Sequence, residues 1–153
     1  MLYWRQMPMS PLPSQSAEDY LERILELIEV KGYARVVDIA ASLKVRRASV
    51  TAMVQKLADG GYLVYEKYRG LTLTPAGREV ASRVQQRHAT LSRFFSLWKL
   101  DEETQRQDIE GIEHHLSPET LECLASLTRF FEDNPQAMRD FAAYRNTHRQ
   151  RTR

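Results

Sequence analysis

Cysteine occurs once in this 153-residue chain, at Cys123. A single thiol excludes an intramolecular disulfide and a thiolate zinc site built from one chain. Its neighbours Leu121, Leu124 and Leu127 create the expectation of a buried, structural thiol. Long apolar runs are also missing, and none approaches the roughly 20 residues that a membrane-spanning helix needs. The opening Met1-Leu-Tyr-Trp-Arg-Gln lacks the apolar region of a signal peptide and runs into three prolines within thirteen positions. A cytoplasmic protein without a membrane partner is expected. Enzyme signatures are lacking too. No glutamate has a histidine three residues later, and H-E-x-x-H, G-x-S-x-G and the phosphate-binding P-loop are absent. These absences point away from an enzyme and from a small-molecule substrate.

Charge of one sign is scarce overall, with a formal net charge of +2, but its distribution is uneven. Residues 31–78 hold nine Lys/Arg against three Asp/Glu, and residues 79–140 hold seven against twelve. The last thirteen residues hold four arginines and no acid. A basic first half suggests a polyanionic partner, and an acidic second half suggests a different task.

The periodicity divides the chain in the same way. Residues 1–15 read as a flexible arm. Ser16-Ala-Glu-Asp19 reads as a helix start, with Ser16 as cap and Asp19 at the capping-box position. Leu21, Ile24, Leu25 and Ile28 then follow at helical spacing, up to Lys31-Gly32. Val36–Leu43 and Arg47–Asp59 are two short helices joined by Lys44-Val45-Arg46, the spacing of a helix-turn-helix. Beyond Gly60-Gly61, the segments Tyr62–Glu66 and Gly70–Thr74 flank Lys67-Tyr68-Arg69 as a hairpin with a basic tip. Three helices and a hairpin are the order of a winged helix-turn-helix, here over 16–74. Thr74-Pro75 opens a long helix. An all-helical region over 75–144 and a basic tail over 145–153 complete a mainly α fold with a small β-hairpin wing.

The helix from Arg47 turns Val50, Met53, Val54 and Leu57 inward. That leaves Arg46, Arg47, Ser49, Thr51, Ala52, Gln55 and Lys56 facing out. A recognition helix reads base edges mostly from its N-terminal half. Arg47, Ser49 and Thr51 are therefore candidates for groove contact, and Ala52 for a thymine methyl. Lys44, Lys56, Lys67 and Arg69 suit phosphates. The plainer reading is a solvated cationic face. Helix spacing, local charge and the basic hairpin tip together favour double-stranded DNA.

Glu110-Gly-Ile-Glu113-His114-His115 carries the second signal. On a helix, Glu110, Glu113 and His114 share a face, and two carboxylates with an imidazole suit a divalent metal. His115 points about 100° away from His114 and falls outside the set. Asp19 and Glu22 lie three apart on the first helix, and His88 lies in the long one. Each has an ordinary alternative: Asp19 as a cap residue, Glu22 as part of a solvated face, His88 as a structural histidine.

From Ala17 to Asp140 the chain resembles the manganese-responsive branch of the diphtheria toxin repressor family. The likeness rests on Glu18-Asp-Tyr, Glu29-Val-Lys-Gly-Tyr-Ala-Arg-Val, Met53-Val-Gln-Lys-Leu, Tyr65-Glu-Lys-Tyr-Arg-Gly-Leu and Asp108-Ile-Glu-Gly-Ile-Glu-His-His-Leu. The resemblance implies six metal ligands, Asp19, Glu22, His88, Glu110, Glu113 and His114, holding two Mn(II) ions per subunit. Iron-responsive relatives carry Cys at the position of Glu113 and Met at that of Asp19, and they add an SH3-like domain for which this chain has no room. The proline-bearing arm departs from the family pattern. The implied function is a metal-activated homodimer that binds operator DNA and represses manganese-uptake genes. Leu91, Phe94, Phe95, Trp98, Leu121 and Leu124 are the candidate dimer contacts. A winged-helix regulator answering to iron or to an organic ligand is the competing reading.

Overall fold

In the computed structural model, residues 13–66 and 68–149 are described. The elements are α1 (Gln15–Lys31), α2 (Val36–Leu43), α3 (Arg47–Asp59), β1 (Leu63–Glu66), β2 (Gly70–Leu73), α4 (Pro75–Ser96), α5 (Glu102–Ile112), α6 (Pro118–Asp133) and α7 (Pro135–Arg149). They form two compact units that divide between Gln85 and Gln86, within α4. No helix among the described residues is long and apolar enough to cross a membrane.

The first unit is built on α1. Leu21, Ile24 and Leu25 occupy one helical stripe and are almost completely buried, and each such side chain contributes about 1.5–3 kcal/mol. Ser14 caps the helix by accepting from the Ala17 N–H at 3.3 Å. The expected cap, Ser16, lies instead inside the first turn. Asp19 is therefore beyond capping reach, in the helix body. Gly32 ends α1 at φ 81°, and its N–H donates to the Ile28 carbonyl. Across Lys44-Val45-Arg46, Lys44 takes the left-handed conformation (φ 56°), which lets α3 follow α2 after a tight turn.

The hairpin pairs Leu63 with Leu73 and Glu66 with Gly70. The Leu71 N–H donates to the Ala34 carbonyl at 3.2 Å and so fastens the wing to the α1–α2 connection. Ile39, Val50, Leu57, Leu63 and Leu71 close the core over α1, joined by Val80 and Ala81 from the first turns of α4. That packing explains why the first compact unit extends to Gln85: the start of α4 supplies core to it.

In the second unit, Trp98 packs edge-to-face against Phe94, Phe131 and Phe141, with ring centroids 5.1–5.5 Å apart. Leu91, expected at a dimer contact, is 0% exposed in the single chain and has no surface left for a partner. Phe94, Phe95, Trp98, Leu121 and Leu124 are half-buried. Ser117 caps α6. Its inward row runs through Leu121, Leu124, Ala125, Thr128 and Phe131, and the buried Thr128 hydroxyl donates to the Leu124 carbonyl at 2.8 Å. Cys123 lies on the opposite row with Leu127 and Phe130 and is exposed, contrary to expectation. Helix α7 continues to Arg149, so part of the expected tail is helical. Residues 1–12 of the expected arm, Lys67 and residues 150–153 lie outside the described residues.

Gly77 admits no side chain in this fold. A Cβ on Gly77 would lie 2.1 Å from the Tyr62 carbonyl oxygen, which also accepts from the Thr74 N–H. Gly77→Ala is expected to destabilise the protein by about 3 kcal/mol, since α4 must move off the first unit's core. Urea unfolding followed by circular dichroism measures this, and a loss under about 1 kcal/mol would show that α4 shifts without penalty.

Candidate metal centre and nucleic-acid interface

Helix α5 is capped by Asp101, whose carboxylate accepts from the Thr104 N–H and hydroxyl. Those bonds hold the Asp101 carboxyl below its ordinary range. The helix stops at Ile112, one residue before Glu113, which keeps right-handed backbone angles as the C-cap. Glu113 and His114 thus sit on the turn that follows the helix, where the sequence suggested helix throughout. Ile109, one turn earlier and buried, anchors this end.

Glu113 is 5% exposed, a rare setting for a carboxylate. Its Oε2 is 3.1 Å from Nδ1 of His88, and its Oε1 is 3.7 Å from Nε2 of His114. The first distance is a hydrogen bond and the second is not. His114 is nearly buried, whereas the His88 side chain is 45% exposed. The cluster is therefore closed on one side and open to solvent at His88. A buried carboxylate with an imidazole at each oxygen forms a hard, mixed O/N donor set, which fits a divalent first-row metal and offers no thiolate.

Glu110 is not brought to this cluster. Its carboxylate accepts from Nη1 of Arg106 at 2.9 Å, while Nη2 of Arg106 donates to Glu103 at 2.7 Å. Hydrogen bonds to Glu103 and then Glu110 raise the Arg106 guanidinium above its ordinary range. The Arg106–Glu110 spacing of four is a standard helical pair, and it was open to view in the sequence. Asp19 and Glu22 lie one turn apart on one face of α1, both half-buried, in the first unit. His115 is exposed and outside the cluster.

On the first unit, Arg46, Arg47, Ser49, Thr51, Ala52, Gln55 and Lys56 are all exposed along α3, as is Lys44 in the turn. Among the described residues, no carboxylate pairs with Lys44, Arg46, Arg47 or Lys56. The Thr51 hydroxyl donates to the Arg47 carbonyl, and the Gln55 amide to Asp59. Both retain an oxygen that can accept from a base. Arg69 projects from the wing with only a loose 3.8 Å contact to Glu66. Sequence reasoning overlooked Tyr65 and Tyr68, which are exposed on the wing at 78% and 91%. Tyr68 also has φ 74°. They flank a cavity of about 380 Å³ that Arg35 and Val54 help to line. The available signal was two tyrosines three apart at a hairpin tip.

The family model described as the iron dependent repressor N-terminal DNA binding domain matches residues 14–71. The one described as the iron dependent repressor metal binding and dimerisation domain matches residues 74–142. The chain is 50% identical over 137 residues to the HTH-type transcriptional regulator MntR of Lysinibacillus sphaericus, covering 90% of this chain and 99% of that protein. Against the regulator of the same name from Listeria monocytogenes, identity is 48% over 136 residues, covering 89% and 96%. Among solved structures, IdeR of T. acidophilum aligns with a TM-score of 0.67 at 32% identity, over 78% of this chain and 55% of that one. The manganese regulator SloR aligns with a TM-score of 0.67 at 27% identity, over 74% and 54%. The chain thus spans nearly all of those two sequence relatives and about half of those two solved chains.

The Arg106 contact yields a test of Glu110. If Glu110 ligates metal, it must leave the guanidinium, and the exchange of an exposed ion pair costs up to about 1 kcal/mol. Arg106→Ala is then expected to tighten Mn(II) binding about twofold to fivefold in isothermal calorimetry. Unchanged affinity would remove Glu110 from the ligand set.

Proposed function

This chain belongs to the iron dependent repressor family, and on that premise we propose that it is a manganese(II)-activated cytoplasmic repressor of manganese-uptake genes. Its N-terminal part is a DNA-binding domain, and its C-terminal part binds metal and dimerises. It is a transcriptional regulator and not an enzyme. The observation that carries the metal reading is Glu113, buried with an imidazole at each carboxylate oxygen. Glu110, Asp19 and Glu22 complete the ligand set, and six ligands hold two ions per subunit. Carboxylate and imidazole donors without thiol or thioether favour manganese over softer metals. The relatives named MntR and the manganese regulator SloR support the same choice.

Bound manganese(II) supplies the positive charge that lets four carboxylates serve one site. The chain's own residues do the rest. His88 and His114 orient Glu113, and Arg106 holds Glu110 until that carboxylate is needed. Metal occupancy and DNA affinity are linked in this reading, with a coupling of about 1–3 kcal/mol in typical cases. Arg47, Ser49 and Thr51 read base edges, while Lys44, Lys56, Lys67 and Arg69 hold phosphates. A dimer presents two such helices to two half-sites.

We place the two-fold contact on the exposed row Cys123, Leu127 and Phe130 of α6. Leu121 and Leu124 flank it, and Phe94, Phe95 and Trp98 keep only part of their surface for a partner. The pair Leu127→Glu/Phe130→Glu is expected to sediment as a monomer where the parent is a dimer, with helix content preserved. A dimer of unchanged stability would move the interface elsewhere.

Operator binding measured by fluorescence anisotropy, with and without Mn(II), Fe(II) and Zn(II), tests the function as a whole. Manganese is expected to tighten binding about fivefold to 150-fold. Asp19→Ala/Glu113→Ala should abolish that gain. Retention of the manganese response in this double variant would overturn the ligand assignment, and indifference to all three metals would favour an organic effector.

A further inference from the structure

A cleft of about 390 Å³ opens between the turn Leu97–Lys99 that follows α4 and one face of α7. Trp98 and Phe141 supply aromatic wall, and Lys99, Arg139, Arg145 and Arg149 supply four cations. No carboxylate lines it. Among the described residues none of the four cations forms an ion pair, whereas Arg93 and Arg106 of the same unit both do. Arg145 donates to the Trp98 carbonyl at 3.4 Å, and Arg139 to the Gln136 side-chain carbonyl at 2.7 Å. Both guanidinium groups are thereby positioned by neutral oxygens, with their charge uncompensated. Lys99 stands at the junction with φ 51°, a left-handed conformation that glycine or asparagine adopts more readily. Strained backbone of this kind concentrates at ligand clamps.

Four cations in one concavity repel each other unless an anion joins them. Guanidinium groups match phosphate oxygens in a bidentate way, and aromatic walls match a flat ring. The volume suits a small ligand rather than a polymer strand. We infer that this cleft binds a small planar organic phosphate of the nucleoside polyphosphate type, at a site separate from the metal cluster. Its walls come from α7 and the three residues that follow α4, and it uses none of the metal or DNA candidates.

The chain has two tryptophans, Trp4 and Trp98. In the full-length Trp4→Phe protein, Trp98 alone reports on the cleft. ATP, adenosine and inorganic tripolyphosphate are titrated at constant ionic strength without added divalent metal, and calorimetry on the same samples detects any binding that is silent in fluorescence. Saturable binding of ATP is expected, with adenosine and tripolyphosphate each about tenfold weaker or worse. Arg139→Ala/Arg149→Ala should weaken ATP about tenfold while leaving the melting temperature and the manganese response unchanged. Tripolyphosphate binding as tightly as ATP would reduce the cleft to a charge patch and overturn the proposal. So would a flat ATP titration by both methods, or unchanged ATP affinity in the double variant. Should the double variant alter only the salt dependence of operator binding, the cleft is a DNA-backbone contact and the nucleotide reading falls.

Discussion

A carboxylate held away from water is the constraint on which the second unit turns. Burying an ionised group without partners costs several kcal/mol. Glu113 meets that cost with His88 at one oxygen and His114 near the other. This arrangement requires α5 to end at Ile112, so that two consecutive side chains leave the turn toward the same place. It also requires His88 to come from the middle of a different helix. Ile109 and Leu91, both buried, hold those two elements. The cluster is thus a product of packing, and its chemistry is that of a hard, mixed O/N donor set.

The first unit solves the opposite problem. Lys44, Arg46, Arg47 and Lys56 face solvent and, among the described residues, lack carboxylate partners, while α3 turns Val50 and Leu57 inward. Such a face is stable in water and gains further from a polyanion through counterion release. The wing is tied to Ala34 by one backbone hydrogen bond, so the orientation of its basic tip depends on the α1–α2 connection. Helix α4 begins by packing into this core and ends in the aromatic cluster around Trp98.

Much of this was readable in advance. The bounds of α2 and α3 followed from a three-residue link and paired glycines, and the start of α4 from a proline after a capping residue. The ligand types at positions 88, 113 and 114 were also visible. Other features were not. Leu127 sits among leucines and looks like core, yet the buried position one residue later belongs to Thr128, whose hydroxyl is satisfied within its own helix. Cys123 turns outward for the same reason. Ser14 caps α1 although Ser16 has the better sequence context, because two serines two apart leave the first turn to be decided by how α1 packs. The cleft beside Trp98 joins residues some forty positions apart, and no local pattern announces it.

By itself the sequence determined the order of helices and hairpin, the separation of a basic from an acidic half, and the hard O/N character of the metal candidates. Those properties reside in residue type and spacing along one chain, which covalent geometry converts directly into faces and turns. Tertiary structure decided which faces are inward, that Glu113 is buried while Glu110 is held by Arg106, that Leu91 is core and Phe130 surface, and that four cations converge where no acid follows. These outcomes depend on what each face meets across the fold, and burial and pairing are properties of two surfaces rather than of one.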